Sequence, residues 1–231
     1  MSDDPDQRRL RTFQQARGQP GLVRLALDLV FPPRCAGCGR VDTVWCDRCQ
    51  HEIDQLPPVA HIQRIAPLRA CAATGIYEGK LAAAIQALKY ENATALAAPL
   101  GERLAAALAS LNWIFDMIIP VPLHTNRLRQ RGYNQSQLLG EHVAEHLALL
   151  CNSSALIRRR NTPAQVGLTR PQRHANMQDA FAASAPQVSG FSILLIDDVY
   201  TTGATLQACA AALMAAGAAS VRSLTVAVAH L

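Results

Sequence analysis

The stretch Ile193-Leu194-Leu195-Ile196-Asp197-Asp198-Val199-Tyr200-Thr201-Thr202-Gly203-Ala204-Thr205 decides how this chain is read. Four consecutive apolar residues are the pattern of a strand buried on both faces, as in a parallel sheet. The run ends in two adjacent carboxylates. A Thr/Gly loop then opens a helical pattern over Thr205 to Ala216, which stops at Gly217. Such a loop brings backbone N–H groups, hydroxyls and a helix N-terminus to one point, and together these make an anion cradle. Gly203 lets the backbone approach the anion closely. Beside it, Asp197 and Asp198 can accept hydrogen bonds from the vicinal hydroxyls of a sugar. A phosphate cradle next to a diol reader describes a ribose 5-phosphate site.

Outward from that stretch, strands and helices alternate. The pattern predicts strands over Cys71–Tyr77, Ile114–Val121, Ala155–Arg158 (weakly) and Val221–Val228. It predicts helices over Lys80–Tyr90, Ala93–Leu111 and Asn134–Leu150. This order implies an α/β fold with a parallel sheet flanked by helices, and the strand-end loops become the expected ligand site. Nearer the start, residues 1–20 are mostly polar and charged and are expected to be a mobile tail. Leu22, Leu25, Ala26, Leu29 and Val30 repeat at helical spacing up to Pro32-Pro33, and Pro57-Pro58 reads as a linker. The expected units are therefore the tail, a small module over 21–56 and the main domain over 57–231.

The small module carries Cys35, Cys38, Cys46 and Cys49, in the spacing C-x2-C-x7-C-x2-C. Each pair lets two thiolates reach one ion from a tight turn, and two such knuckles complete a tetrahedral shell for structural zinc. Disulfides are the competing reading, and His51 is a spare ligand candidate. Cys71, Cys151 and Cys209 lie among apolar residues and read as buried small side chains.

Composition narrows the class. Of 231 residues 50% are hydrophobic and 17% charged, enough apolar material for a sizeable core. No run approaches the ~18 apolar residues of a membrane span. The most apolar early stretch, Leu22 to Phe31, is broken by Arg24 and Asp28. An acidic start before Arg8, Arg9 and Arg11 is the wrong order for a secretory signal, so a cytoplasmic protein without membrane insertion is expected. The basic residues are twenty Arg and two Lys, and eight of the Arg lie between Arg127 and Arg173 with only Glu141 and Glu145 among them. Guanidinium forks grip phosphate oxygens bidentately, though codon bias alone also enriches Arg.

Residues 193–205 resemble the phosphoribosyl pyrophosphate (PRPP) motif of type I phosphoribosyltransferases. Further stretches narrow the resemblance: Leu29-Val30-Phe31-Pro32 before Cys35 and Cys38, Lys89-Tyr90, Pro120-Val121-Pro122-Leu123-His124 and Arg131-Gly132-Tyr133-Asn134-Gln135. With Thr162, Gln165, Leu168, Arg173, Asn176 and Phe181 they make residues 22–231 resemble the ComF family of competence-associated proteins. That family couples a zinc module to a phosphoribosyltransferase-like domain and is associated with DNA uptake and natural transformation.

The resemblance implies that Asp197 and Asp198 hold the ribose hydroxyls as the catalytic carboxylates, and that Thr201, Thr202, Gly203, Ala204 and Thr205 wrap the 5-phosphate. It places a pyrophosphate loop at Val121, Pro122 and Leu123. Arg127, Arg129 and Arg131 are candidates for pyrophosphate, for a nucleic-acid backbone or for a solvated loop, and Arg131 is the one carried as a PRPP contact. Asn134 is a helix cap or a ligand contact. A lid over about 158–181 would include Arg159 and Arg160. Magnesium is implied with PRPP, bridging its oxygens.

Three functions stay open: a transferase releasing pyrophosphate to an unread acceptor, a single-stranded-DNA-binding module that uses PRPP or a nucleotide as ligand, and a zinc-stapled scaffold for the uptake machinery.

Overall fold

The computed structural model describes residues 32–56, 60–62, 64–160 and 180–229. The expected tail, the helical pattern over 22–31, Pro57-Pro58 and most of the expected lid, including Thr162, Gln165, Leu168, Arg173 and Asn176, lie outside the described residues.

A six-stranded sheet forms the centre: β1 (Ala60–Ile62), β2 (Ala70–Ala73), β3 (Met117–Pro120), β4 (Leu150–Cys151), β7 (Ser192–Tyr200) and β8 (Ser220–Val228). Its order is β1-β2-β8-β7-β3-β4, parallel throughout except for the edge pair β1–β2. The quoted stretch is central: Ile193 pairs with Met117 on one side and Val221 on the other. Because successive side chains of a strand face opposite ways, Leu194 and Ile196 enter one core and Ile193 and Leu195 the other.

The first core is closed by α2 (Gly79–Tyr90), α3 (Ala97–Leu111) and α5 (Gln135–Leu147), with Leu81, Ile85, Leu88, Leu100, Leu104, Leu139 and Val143 fully buried. The second is closed by α7 (Ala204–Ala215) through Leu206, Cys209 and Leu213, and by the short α6 (Ala185–Val188) through Val188. The layers are helix, sheet, helix. They agree with the expected parallel sheet flanked by helices.

Several boundaries differ from the sequence reading, each for a local reason. The central strand continues through both carboxylates to Tyr200, because Asp197, Val199 and Tyr200 still pair with Thr225, Ala227 and Val228. The helix expected to Leu150 stops at Leu147, where Ala148 turns left-handed at φ 52° and releases Leu150 and Cys151 to β4. A helix that hydrophobic periodicity missed, α4 (Thr125–Arg131), is TNRLRQR and buries none of its residues. His124 Nδ1 caps its start by accepting from the Asn126 amide, and Gly132 ends it at φ 83°. Leu156–Arg158 (β5) pairs antiparallel with Phe181–Ala183 (β6), so both ends of the expected lid are ladder residues.

Residues 32–56 form the cysteine module, whose helix α1 (Asp47–Asp54) packs against α2. Ile53 enters the first core, and Arg103 of α3 donates to the Ile53 carbonyl and to both oxygens of Thr74.

Candidate functional site

The site lies at the C-terminal edge of β3 and β7. Strand parity puts Asp198 in phase with Leu194 and Ile196, facing α2, where it meets Lys89: Nζ lies 2.6 Å from Asp198 Oδ1. Burial favours the neutral form of Lys89, but the Asp198 charge outweighs it and holds the ammonium above its ordinary pKa. Lys89 reaches Asp198 because the end of α2 is pinned. The Tyr133 hydroxyl donates to the Leu88 carbonyl, one of the last-turn carbonyls that a helix leaves unpaired.

Asp197 is held differently. Its Oδ1 accepts from Ser136 Oγ at 2.7 Å and from the Asp198 amide at 3.0 Å. Burial and the adjacent Asp198 charge push its pKa up to about 7, against the Ser136 hydroxyl and Lys89, which pull it down. The motif thus contains one carboxylate paired with a cation and one poised near neutrality.

Two buried oxygens in the motif have no hydrogen-bond partner among the described residues: Asp198 Oδ2 and Thr202 Oγ1. Orphaned buried acceptors and hydroxyls are costly and mark places where a ligand completes the bonding. Directly after Thr202 the backbone turns at Gly203, with φ at 76°, and a Cβ there would lie 2.6 Å from the Tyr200 hydroxyl oxygen. Only glycine fits that turn, and α7 starts directly after it.

The expected pyrophosphate loop is braced from below. The Val121 amide donates to the Ile196 carbonyl at 2.9 Å, and the Val121 carbonyl accepts from Asn134 Nδ2 at 3.0 Å. Both Val121 backbone groups are therefore in use, and Pro122 and Leu123 form the open part of the turn. Asn134 is a helix cap as well as a brace, since its Oδ1 accepts from the Ser136 amide. Arg131 bends over the Tyr90 ring, 5.3 Å from its centre, and donates to Gln135 Oε1. Arg159 and Arg160 are exposed at the end of the β5–β6 hairpin, next to the undescribed segment. In that hairpin Arg158 lies 5.5 Å over the Phe181 ring and feels the Asp197 charge.

Lys89 and Ser136 had no role in the sequence reading, and both hold the motif's carboxylates. Lys89 enters the sequence reading only in the Lys89-Tyr90 pair of the family resemblance. It is one of only two lysines in a chain with twenty arginines, and both lysines form ion pairs with carboxylates, Lys80 with Glu52 and Lys89 with Asp198.

In the small module, Cys35, Cys38, Cys46 and Cys49 place their sulfurs within 4.8 Å of one another, a group that could hold a metal ion. Cys35 Sγ is 3.6 Å from Cys49 Sγ, and Cys38 Sγ is 3.7 Å from Cys46 Sγ. A tetrahedral shell with Zn–S bonds of ~2.3 Å has edges of about 3.8 Å, so the donor set fits. Sulfurs bonded in a disulfide would be ~2.05 Å apart, which excludes that reading here. His51 is not part of the group. Burial pushes the Cys35 thiol up, but the Gly37, Cys46 and Cys38 backbone groups and the Cys49 side chain bring it down to about 6, favouring the thiolate that a metal needs. A Cβ at Gly37 would lie 2.7 Å from Cys49 Sγ, so the first knuckle can only close around glycine.

The fold and this edge define a phosphoribosyltransferase-type protein, and residues 135–230 match the phosphoribosyl transferase domain model. The chain is 31% identical over 211 residues to DNA utilization protein YhgH of Escherichia coli K12, covering 87% of this chain and 92% of that protein. It is 29% identical to Competence protein F of Haemophilus influenzae, over 75% of each chain, and 33% identical over 113 residues to Competence protein ComFC of Bacillus subtilis, over 47% of this chain and 43% of that one. The chain belongs to the ComF family. Among solved structures, adenine phosphoribosyltransferase of Thermoanaerobacter pseudethanolicus aligns with 78% of this chain and 99% of its own, at 16% identity and TM-score 0.37.

Proposed function

We propose that this protein binds PRPP at the β3–β7 edge, with pyrophosphate displacement at the ribose C1 as the reaction class, in the service of DNA uptake or utilisation. One observation carries the reading. Asp198 Oδ2 and Thr202 Oγ1, buried and without a hydrogen-bond partner among the described residues, lie on the stretch that leads into the Gly203 turn, where a ribose hydroxyl would donate to the carboxylate and a 5-phosphate oxygen would accept from the threonine.

In this reading Asp197 and Asp198 read the ribose hydroxyls, Thr201 to Thr205 wrap the 5-phosphate, and Pro122 and Leu123 face the pyrophosphate. Lys89 pairs with Asp198 and Ser136 orients Asp197. Magnesium would enter with the pyrophosphate and neutralise its oxygens. The ion in the cysteine module is zinc, with all four positions filled by protein, so its role is structural. The names of the relatives support the link to DNA uptake, and no helix among the described residues is long and apolar enough to cross a membrane. A cytoplasmic location follows from that reading.

Calorimetric titration with PRPP and magnesium tests the site. Wild type binds, and Asp198→Asn loses at least about tenfold in affinity, the scale of a hydrogen bond to a charged group. Unchanged affinity in the variant would remove PRPP from this edge. Pyrophosphate release with a panel of nucleobases and single-stranded DNA then separates transferase from binder: acceptor-dependent release establishes turnover, and binding without release assigns a ligand-responsive module.

A further inference from the structure

Beside the ribose edge lies a cavity of about 310 Å3 between the end of α2 and helix α4, walled by Lys89, which pairs with Asp198, by Arg131, which the family resemblance offers to PRPP, and by Tyr90, Arg127 and Tyr133. None of its described lining residues belongs to the 121–124 turn or to the 197–205 motif.

Its charge is unbalanced. Lys89 is paired with Asp198, but no acidic residue is among the described lining. Arg127 has no ion pair among the described residues, and its charge acts together with burial to depress the Arg158 pKa. Arg131 is held by a neutral amide and an aromatic ring, not by a carboxylate. Two guanidinium groups at one cavity, with no counter-charge, repel each other and attract an anion. Their planar forks match phosphate oxygens.

The cavity also suits more than a bare anion. Its volume reaches the lower end of the range for small-ligand sites, ~300 Å3. Tyr90 is 73% exposed, with Arg131 over one ring face. The remaining aromatic surface is a platform on which a planar base can stack. Asn92, also in the lining, adds an amide that can both donate and accept.

We propose that this cavity binds a nucleotide, its phosphate on Arg127 and Arg131 and its base against Tyr90. The composition of the cavity carries the proposal, and only the adjacency to the sugar edge rests on the ribose-phosphate reading above. The nucleotide has two possible sources, a free mononucleotide or the phosphorylated end of a single strand.

Calorimetry on the full chain tests this with thymidine 5-monophosphate, thymidine, inorganic phosphate and a short 5-phosphorylated oligothymidylate. The monophosphate is expected to bind at least about tenfold more tightly than thymidine or phosphate alone, and Arg127→Glu to remove at least about tenfold of that affinity. Tyr90→Ala is expected to weaken the monophosphate while leaving inorganic phosphate unchanged. The oligonucleotide arm distinguishes the sources: tighter binding than the monophosphate assigns a strand end, equal or weaker binding a free nucleotide.

Asp198→Asn separates this proposal from the preceding one, since it should lose PRPP yet still bind the monophosphate. Phosphate binding as tightly as the monophosphate would overturn the nucleotide assignment. Displacement of the monophosphate by saturating PRPP would make the cavity part of the ribose edge and overturn it as a separate site.

Discussion

The cysteine module and the β7 edge are both cradles for one ligand, and they draw on the chain in opposite ways. The module takes all four ligands from fifteen consecutive residues, 35–49, with turns and one short helix between them. The β7 edge takes its anion loop from one contiguous stretch, but its charges are set from elsewhere: Lys89 on α2 pairs with Asp198, and Ser136 on α5 holds Asp197. The lesson is that local spacing can specify a geometry, whereas the ionisation of a carboxylate depends on what the fold packs against it.

The largest effect should come from the self-contained cradle. Cys49→Ser is expected to abolish stoichiometric metal binding, read by elemental analysis, because three thiolates leave the structural shell open. PRPP affinity should stay within about twofold, as for separated sites. Loss of both would show that the module supports the edge through Ile53 and Arg103, and the comparison would break.

Next comes the cradle assembled at a distance. Lys89→Ala leaves the Asp198 carboxylate buried without its cation, at a cost of ~3–5 kcal/mol in urea unfolding. The double change with Asp198→Asn is expected to recover much of that loss. A cost of Lys89→Ala within the ~0.5 kcal/mol of ordinary surface substitutions would mean that the pair does not hold the edge.

A sharper comparison uses two glycines of nearly equal backbone angle. Gly39 of the first knuckle has φ of 75° and nothing within 4 Å of a would-be Cβ, while Gly203 has φ of 76° and the Tyr200 ring in the way. Gly39→Ala should cost only the left-handed strain, ~1–2 kcal/mol. Gly203→Ala should exceed that, since Tyr200, only 2% exposed, must also move. Equal thermal shifts would show that Tyr200 yields freely.

The last effect is a slope. Asp197 is raised to about 7 by burial and by Asp198. Between the unfolded value of ~3.9 and the folded value, the native state holds a proton that the unfolded state has lost, so stability falls as pH rises through that window and levels off above it. Asp197→Asn should remove this slope, measured as unfolding midpoints across pH. An unchanged profile would place the titration elsewhere.

Much of the fold was legible because its signals are local. Four apolar residues in a row read as a central strand, and the helices over 79–90 and 97–111 carry apolar residues at helical spacing. Misreadings came where no hydrophobic stripe marks the element. Helix α4 has Leu128 as its one apolar residue and depends on its caps, and the strand continues beyond Ile196 because β8 pairs with Asp197, Val199 and Tyr200. Lys89 beside Tyr90 carries no legible role in the sequence, since nothing near it in the chain names Asp198 as its partner.

The sequence by itself determined the two contiguous devices: the cysteine spacing that brings four sulfurs together, and the strand–loop–helix in which a glycine is the one residue that can turn. Both depend on backbone geometry over a few residues, which the chain encodes directly. Only the tertiary structure decided which carboxylate is paired, which is poised near neutrality, and that Arg127 and Arg131 share a cavity with Tyr90. Those outcomes depend on desolvation and on charges a few ångströms apart, and helices distant in sequence must pack on the sheet before such distances exist.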